Sequence, residues 1–160
     1  GRLSLAENVA ISRFRSPPFS RFGWLDRRAI MQFAVGLVEQ YDIRPPNPLA
    51  RMTAFSGGNQ QKAIVAREIA FSPRGLVIAQ PTRGLDVAAV SFVHRQIMAL
   101  KESGCAIIVI SDDLEELFQL SDRLAVICDG SIVLDGSSNV LSVSQVGLAM
   151  SGSMEAGSAR

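Results

Sequence analysis

Ser56, Gly57 and Gly58 stand directly before a run of helical spacing, Asn59 to Phe71. A helix opened this way presents unpaired backbone N–H groups at the positive end of its dipole, an arrangement that suits phosphate. Two glycines let an anion approach the backbone with no Cβ in the way. The Ser56 hydroxyl either caps the helix or donates to the anion. Ser-Gly-Gly before a helix is, alone, an ordinary cap. Its neighbours decide what it is for.

Downstream lies Gly75-Leu76-Val77-Ile78-Ala79-Gln80-Pro81-Thr82-Arg83-Gly84-Leu85-Asp86. An apolar run of strand length enters a proline and glycine turn, and a helix begins near Val87. In this order (Ser-Gly-Gly helix, buried strand, Pro-Thr-x-Gly-Leu-Asp) the chain resembles the nucleotide-binding domain of ABC transporters over residues 4–150. The resemblance implies a signature motif, a Walker B strand and a D-loop in succession. Ser-Gly-Gly-Asn-Gln-Gln-Lys at 56–62 is similar to the tandem-domain ATPases of sugar and nucleoside importers. Ala79-Gln80-Pro81-Thr82-Arg83-Gly84-Leu85-Asp86 and the Ser16-to-Trp24 stretch are similar to the second cassette of the nucleoside-type branch.

An ATPase of this kind needs a Gly-x-x-x-x-Gly-Lys-Ser/Thr loop to cradle phosphates. None occurs in this sequence, whose two lysines are Lys62 and Lys101. The resemblance implies that such a loop lies upstream of Gly1, and a chain opening on glycine suggests a fragment. Where the family commonly places aspartate and then glutamate, this chain has Ala79 and Gln80. Alanine offers magnesium no oxygen. An amide orients water but does not take its proton, a loss of roughly 10²–10⁴ in rate where general-base help is needed. At the switch position, where the family commonly carries histidine after Ser/Thr, Ile110-Ser111 is followed by Asp112, whose charge repels a γ-phosphate. The site built on these strands is expected to be catalytically dead.

The signature carries the opposite expectation. In ABC assemblies two cassettes pair head to tail, each nucleotide lying between one phosphate loop and the other cassette's signature. The resemblance implies that Ser56, Gly57, Gly58 and Gln60 meet ATP phosphate held with Mg2+ by the partner cassette. It also implies that Asp86, the D-loop residue, helps set the partner's attacking water. Phe55 stands where leucine is usual, and both are apolar packing residues. Gln60 and Lys62 either touch ribose and phosphate edges or are polar residues on a helix surface. Arg83 is either an interface residue or a solvated loop arginine. His94 has no cysteine partner at ligand spacing, and Asp112, Asp113, Glu115 and Glu116 are read as first-turn charge with both glutamates facing solvent. No metal ligand set is assigned.

The elements that position these residues follow from patterning. Ser4-Leu5-Ala6-Glu7 predicts a capping box and a short helix to about Arg13. Residues 14–25 form a turn-rich segment with Phe14, Phe19, Phe22 and Trp24. This aromatic cluster either docks a permease helix or, the favoured alternative, plugs the core of its own subdomain. Asp26 caps a helix over 27–42 whose Ile30, Phe33, Ala34, Leu37, Val38 and Tyr41 form one apolar stripe. From Gly75 strands and helices alternate: strand 75–80, helix 87–103, strand 105–110 apolar throughout and so buried on both faces, and helix 112–121. Runs 122–128 and 131–135 flank Asp129-Gly130, a hairpin signal. A short helix near 144–150 and a disordered tail over 151–160 complete the chain.

The expected fold is α/β: an incomplete P-loop NTPase of ABC type, its parallel-sheet core lacking the phosphate-loop strand, with a helical subdomain. The division is 1–55, helical and partner-docking; 56–136, signature, Walker B, D-loop and switch core ending in the hairpin; and 137–160, C-terminal. Of the 160 residues, 48% are apolar and the formal net charge is +1, so bulk attraction to nucleic acid is not implied. Residues 1–51 hold eight arginines against four acids, either a basic partner face or, the favoured alternative, a solvated surface. Cys105 and Cys128 sit in apolar runs, without a disulfide framework, which fits a reduced compartment. No apolar run approaches the 18 or so residues that span a bilayer.

The leading expectation is an ATP-binding-cassette segment that energises import of a nucleoside or simple sugar. It works with a companion cassette and integral permease subunits, peripherally on the cytoplasmic face of the membrane. Alone it is expected to be inactive as an ATPase and poorly soluble or partly unfolded. The alternative is a non-catalytic nucleotide-sensing or scaffolding module. A soluble ABC protein of translation or repair is disfavoured by the lack of heptads and basic blocks.

Overall fold

The computed structural model describes residues 2–152, so the tail expected over 151–160 lies almost wholly outside the described residues. Two compact units are present: one comprises residues up to 76 with 82–107, the other 77–81 with 108 onward.

The first unit is helical. Helix α1 (Leu5–Ala10) opens on the expected capping box and stops three residues before Arg13. The Ser4 N–H and hydroxyl both donate to the Glu7 carboxylate, at 2.8 and 2.9 Å, and hold its pKa below the usual carboxylate value. Strands β1 (Ser20–Arg21) and β2 (Trp24–Leu25) make a minimal antiparallel hairpin. Asp26 then caps helix α2 (Arg27–Gln40), accepting from the Arg28 and Ala29 N–H groups. Helix α3 (Gly57–Ile69) starts at the glycines, two residues before the expected Asn59. Helix α4 (Val87–Glu102) is capped by Asp86. Leu5, Val9, Ala34, Leu37, Val38, Tyr41, Phe55 and Ala63 form the core among α1, α2 and α3.

The aromatic cluster divides. Phe19 is fully buried, edge-on to Phe33 at 5.0 Å and to Phe71 at 6.0 Å. Phe22 and Trp24 are 90% and 82% exposed at the hairpin. The expectation that these aromatics fill the unit's own core therefore holds for Phe19 and fails for Phe22 and Trp24. Both stand at the hairpin turn, where Phe22 and Gly23 take positive φ, 51° and 83°, as tight hairpin turns require.

Strands β3 (Gly75–Ala79) and β4 (Ala106–Ile110) pair in parallel. Ala106 N–H donates to Arg74 O at 3.1 Å and Gln80 N–H to Ile110 O at 2.7 Å. The expectation that residues 105–110 are buried on both faces is corrected. One face of the pair stays open, with Val77 65%, Ile108 60% and Ile110 52% exposed. Among the described residues this sheet has only two strands, and nothing covers that side.

In the second unit, helix α5 (Leu114–Leu120) follows, with Asp113 as its cap. Strands β5 (Arg123–Cys128) and β6 (Ser131–Ser137) pair antiparallel about Asp129 and Gly130, at φ 48° and 77°, as the Asp-Gly turn requires. Helix α6 (Val143–Met150) packs Val146 and Ala149 on Leu124 and Val126, joined by Leu114, Leu117 and Phe118. Arg123 forks onto Asp135 at 2.6 and 2.8 Å, which lowers the Asp135 pKa. The pair is exposed and adds little stability. Glu116 corrects a second expectation: it is 3% exposed and does not face solvent beside Glu115.

Among the described residues no helix is long and apolar enough to cross a membrane.

Candidate functional site

The start of α3 is built to expose donors. Ser56 is extended at φ −62°, ψ 160° and caps the helix. Its Oγ accepts from the Asn59 N–H at 3.4 Å and from Asn59 Nδ2 at 2.9 Å. Gly57 and Gly58 occupy the first two helical positions, whose N–H groups have no intrahelical partner. The first turn carries no acid, so nothing there opposes an incoming anion. The arrangement fits a phosphate: free N–H donors, a hydroxyl and the helix dipole converge.

The two glycines do different jobs. A Cβ added at Gly57 meets nothing within 4 Å, whereas one at Gly58 comes 3.2 Å from Ala89 Cβ and 3.7 Å from Asp86 Oδ2. Gly57 leaves room for a ligand. Gly58 leaves room for α4. Gly58 thus sits beside Asp86, whose Oδ1 accepts from the Ala89 N–H at 2.9 Å. Gly58→Ala should leave stability within about 1 kcal/mol of the parent, since helix propensity gained offsets crowding. Hydrogen exchange at the Ala89 N–H should quicken as Ala89 gives way to the added methyl group, and unchanged exchange there would count against the contact.

Gln60 and Lys62 are both tied inward. Gln60 Nε2 donates to Phe55 O at 2.8 Å. Lys62 Nζ donates to Asp42 O at 3.0 Å and lies 5.0 Å from the Phe92 ring centroid. Asn59 was not singled out from sequence, although Ser56 and Asn59 stand at the spacing of a capping box. Its Oδ1 accepts from the Arg44 N–H at 2.7 Å, fastening the site to the loop after α2. Arg83 is exposed in a turn closed by the Leu85 N–H on Thr82 O at 3.1 Å, with Gly84 at φ 74°.

In the second unit, β3 ends at Ala79 and Gln80 takes φ 48°. That is an uncommon backbone for a residue other than glycine, asparagine or aspartate, so the position keeps a special conformation while bearing an amide. Asp112 is exposed next to Asp113, whose Oδ1 accepts from the Glu115 and Glu116 N–H groups at 2.9 and 3.2 Å. Ala79 and Gln80 do not fit a magnesium ligand pair. No group of three or more His, Cys, Asp or Glu among the described residues is arranged to hold a metal ion.

No family model matches the chain. It is 41% identical over 150 residues to the nucleoside import ATP-binding protein NupA of Lactococcus lactis subsp. cremoris, covering 94% of this chain and 30% of that protein. It is 41% identical over 151 residues to the guanosine import ATP-binding protein NupO of Bacillus subtilis, with the same two coverages. A ribose import ATP-binding protein, RbsA of Bacillus licheniformis, is 35% identical over 129 residues, covering 81% of this chain and 26% of the relative. The chain therefore spans about 30% of the length of the first two relatives.

Among solved structures, a nucleotide-free ATP-binding cassette from an ABC transporter superposes with TM-score 0.71 at 20% identity, covering 92% of this chain and 62% of that one. A dimeric cassette in a post-hydrolysis state with ADP and Pi gives 0.68 at 20% identity, covering 85% and 57%. Matched over 94% of its length by nucleoside-import ATP-binding proteins and folded as cassettes fold, the chain belongs to the ATP-binding cassette family, as part of a cassette of the nucleoside- and sugar-import type.

Proposed function

We propose that this segment supplies the Ser56-Gly57-Gly58 turn to an ATP molecule held, with Mg2+, chiefly by a companion cassette. The observation that carries this reading is the start of α3, where two unpaired N–H groups and a serine hydroxyl stand open. Asp86 crosses the same interface and sets the partner's attacking water. The segment's own site stays silent because Ala79 offers magnesium no oxygen, Gln80 takes no proton from water and the Asp112 carboxylate repels a phosphate instead of donating to it. ATP turnover at the shared site drives import of a nucleoside or simple sugar, in keeping with what the relatives' names say of those proteins. Residues 1–55 face the permease, 56–136 carry the nucleotide-related motifs and 137–160 form the C-terminal part. The place of action is the cytoplasmic face of the membrane, peripherally.

The test is ATP turnover by the full-length protein, assembled with its companion cassette and permease, carrying Ser56→Ala. Removing one donor aimed at developing charge is expected to lower turnover by about 10²-fold. Unchanged turnover would favour a second reading, a nucleotide-sensing or scaffolding module, for which Ala79 and Gln80 at the Walker B position speak.

The hairpin tip is proposed to contact the permease. Phe22 and Trp24 are exposed and apolar, with Arg21 guarding Phe22 at 5.4 Å. Phe22→Ser with Trp24→Ser should leave the melting temperature within about 2 °C, as surface changes do, while the permease no longer co-purifies. Full retention of the permease would place its contact elsewhere.

A further inference from the structure

The geometry points to Asn59 as a positioning residue that sets the direction of the Ser56 O–H hydrogen. This rests on the reading that Ser56 meets a phosphate. A serine hydroxyl has two lone pairs and one hydrogen. In this structure both lone pairs are met by Asn59, through its backbone N–H at 3.4 Å and its Nδ2 at 2.9 Å. Among the described residues no acceptor meets the Ser56 hydrogen, which is left for an incoming acceptor.

What fixes the direction is the other end of the Asn59 amide. An amide side chain can present either its oxygen or its nitrogen to a neighbour, and the hydrogen-bond network decides which. Arg44 offers only a donor, its backbone N–H, at 2.7 Å from Asn59 Oδ1. Oδ1 must therefore face Arg44, and Nδ2 must face Ser56. The Arg44 loop is itself held in place. Asp42 Oδ1 accepts from Arg44 Nε at 2.7 Å, and Asp42 O accepts from Lys62 Nζ, one turn along α3, at 3.0 Å.

A chain of directed bonds thus runs from the Arg44 N–H through the Asn59 amide to Ser56 Oγ, and it ends on a hydroxyl that can only donate outward. Without Asn59 Nδ2 the hydroxyl rotates freely, so donation to phosphate requires ordering it first. Lys62 acts in this scheme on the loop that orients Asn59.

The test is a double-mutant cycle on ATP turnover by the full-length protein assembled with its companion cassette and permease, comparing Ser56→Ala, Asn59→Ala and both together. Expected are losses in kcat of about 10²-fold for Ser56→Ala and about 10-fold for Asn59→Ala, with KM for ATP changed less. The pair should match Ser56→Ala alone to within about 2-fold, because Asn59 acts only through that hydroxyl. A merely structural role for Asn59 would instead multiply its loss onto that of Ser56→Ala.

Multiplied losses, or an Asn59→Ala enzyme with parental turnover beside an impaired Ser56→Ala enzyme, overturn the inference while leaving the site reading intact. Parental turnover in Ser56→Ala removes the site reading and this inference with it. Should Asn59→Ala fail to fold, Asn59→Asp takes its place in the same cycle. It keeps an acceptor for Arg44 but turns the second oxygen on Ser56, drawing the hydroxyl hydrogen inward, and the same non-additivity is expected.

Discussion

Gly57→Asp in the assembled full-length protein is expected to cut ATP turnover about 10³-fold with little change in thermal stability. The added side chain finds open space, since a Cβ at Gly57 meets nothing within 4 Å, so packing gives no reason to unfold. Aspartate early in a helix is also favourable to the dipole. Against a phosphate the same carboxylate is strongly repulsive. Two unit charges about 4 Å apart in a medium of effective dielectric near 20 interact by about 4 kcal/mol, which corresponds to about 10³-fold. The measurement is steady-state phosphate release, paired with a melt of the same preparation. Parental turnover in a folded Gly57→Asp protein would mean that no phosphate approaches the start of α3. Gly58→Asp is a poorer probe, because it also crowds Ala89.

Phe19→Ala should have the largest effect on folding. The ring is fully buried and sits against both Phe33 and Phe71, which themselves stack at 5.2 Å. Arg13 covers Phe71 from outside, 4.4 Å from its centroid. Removing Phe19 takes one ring from a cluster of three that joins the segment before the hairpin to α2 and to Phe71, two residues after α3. Large-to-small changes of this type cost roughly 3–5 kcal/mol. In the full-length protein the loss is read as faster hydrogen exchange of α2 amides by about 10²-fold or more. Phe22→Ala, three residues away but exposed, serves as the contrast and should change exchange there by less than about 3-fold. Equal effects of the two changes would contradict the burial of Phe19.

Much of the scaffold is legible because it rests on local chemistry. Ser4 with Glu7 and Asp26 announce helix starts, and each is found bonded to the N–H groups it was expected to cap; Asp86 caps α4 as well, a role the sequence reading did not assign it. Asp129-Gly130 announces its turn for the same reason. What sequence could not display depends on partners distant along the chain. Asn59 looked like one polar residue among several, since the Arg44 N–H that fixes its amide lies 15 positions earlier.

The aromatics at 19, 22 and 24 are alike in composition, and only the folded structure sorts them into core and surface. The run Cys105–Ile110 is apolar on both faces, which reads as burial on both. Periodicity reports what a strand is suited to, and here one of its faces is bare. Glu116 misled in the opposite sense, as a charged residue in a first turn that the packing of α5 turns inward.

The 3.2 Å gap between a Cβ built on Gly58 and Ala89 Cβ makes these two positions share one fixed volume. Enlarging one is eased by shrinking the other, so Gly58→Ala should be better tolerated beside Ala89→Gly than beside Ala89→Val. Across homologous chains the two sites should then drift in concert, the start of α3 and the helix that Asp86 begins being inherited as one matched pair.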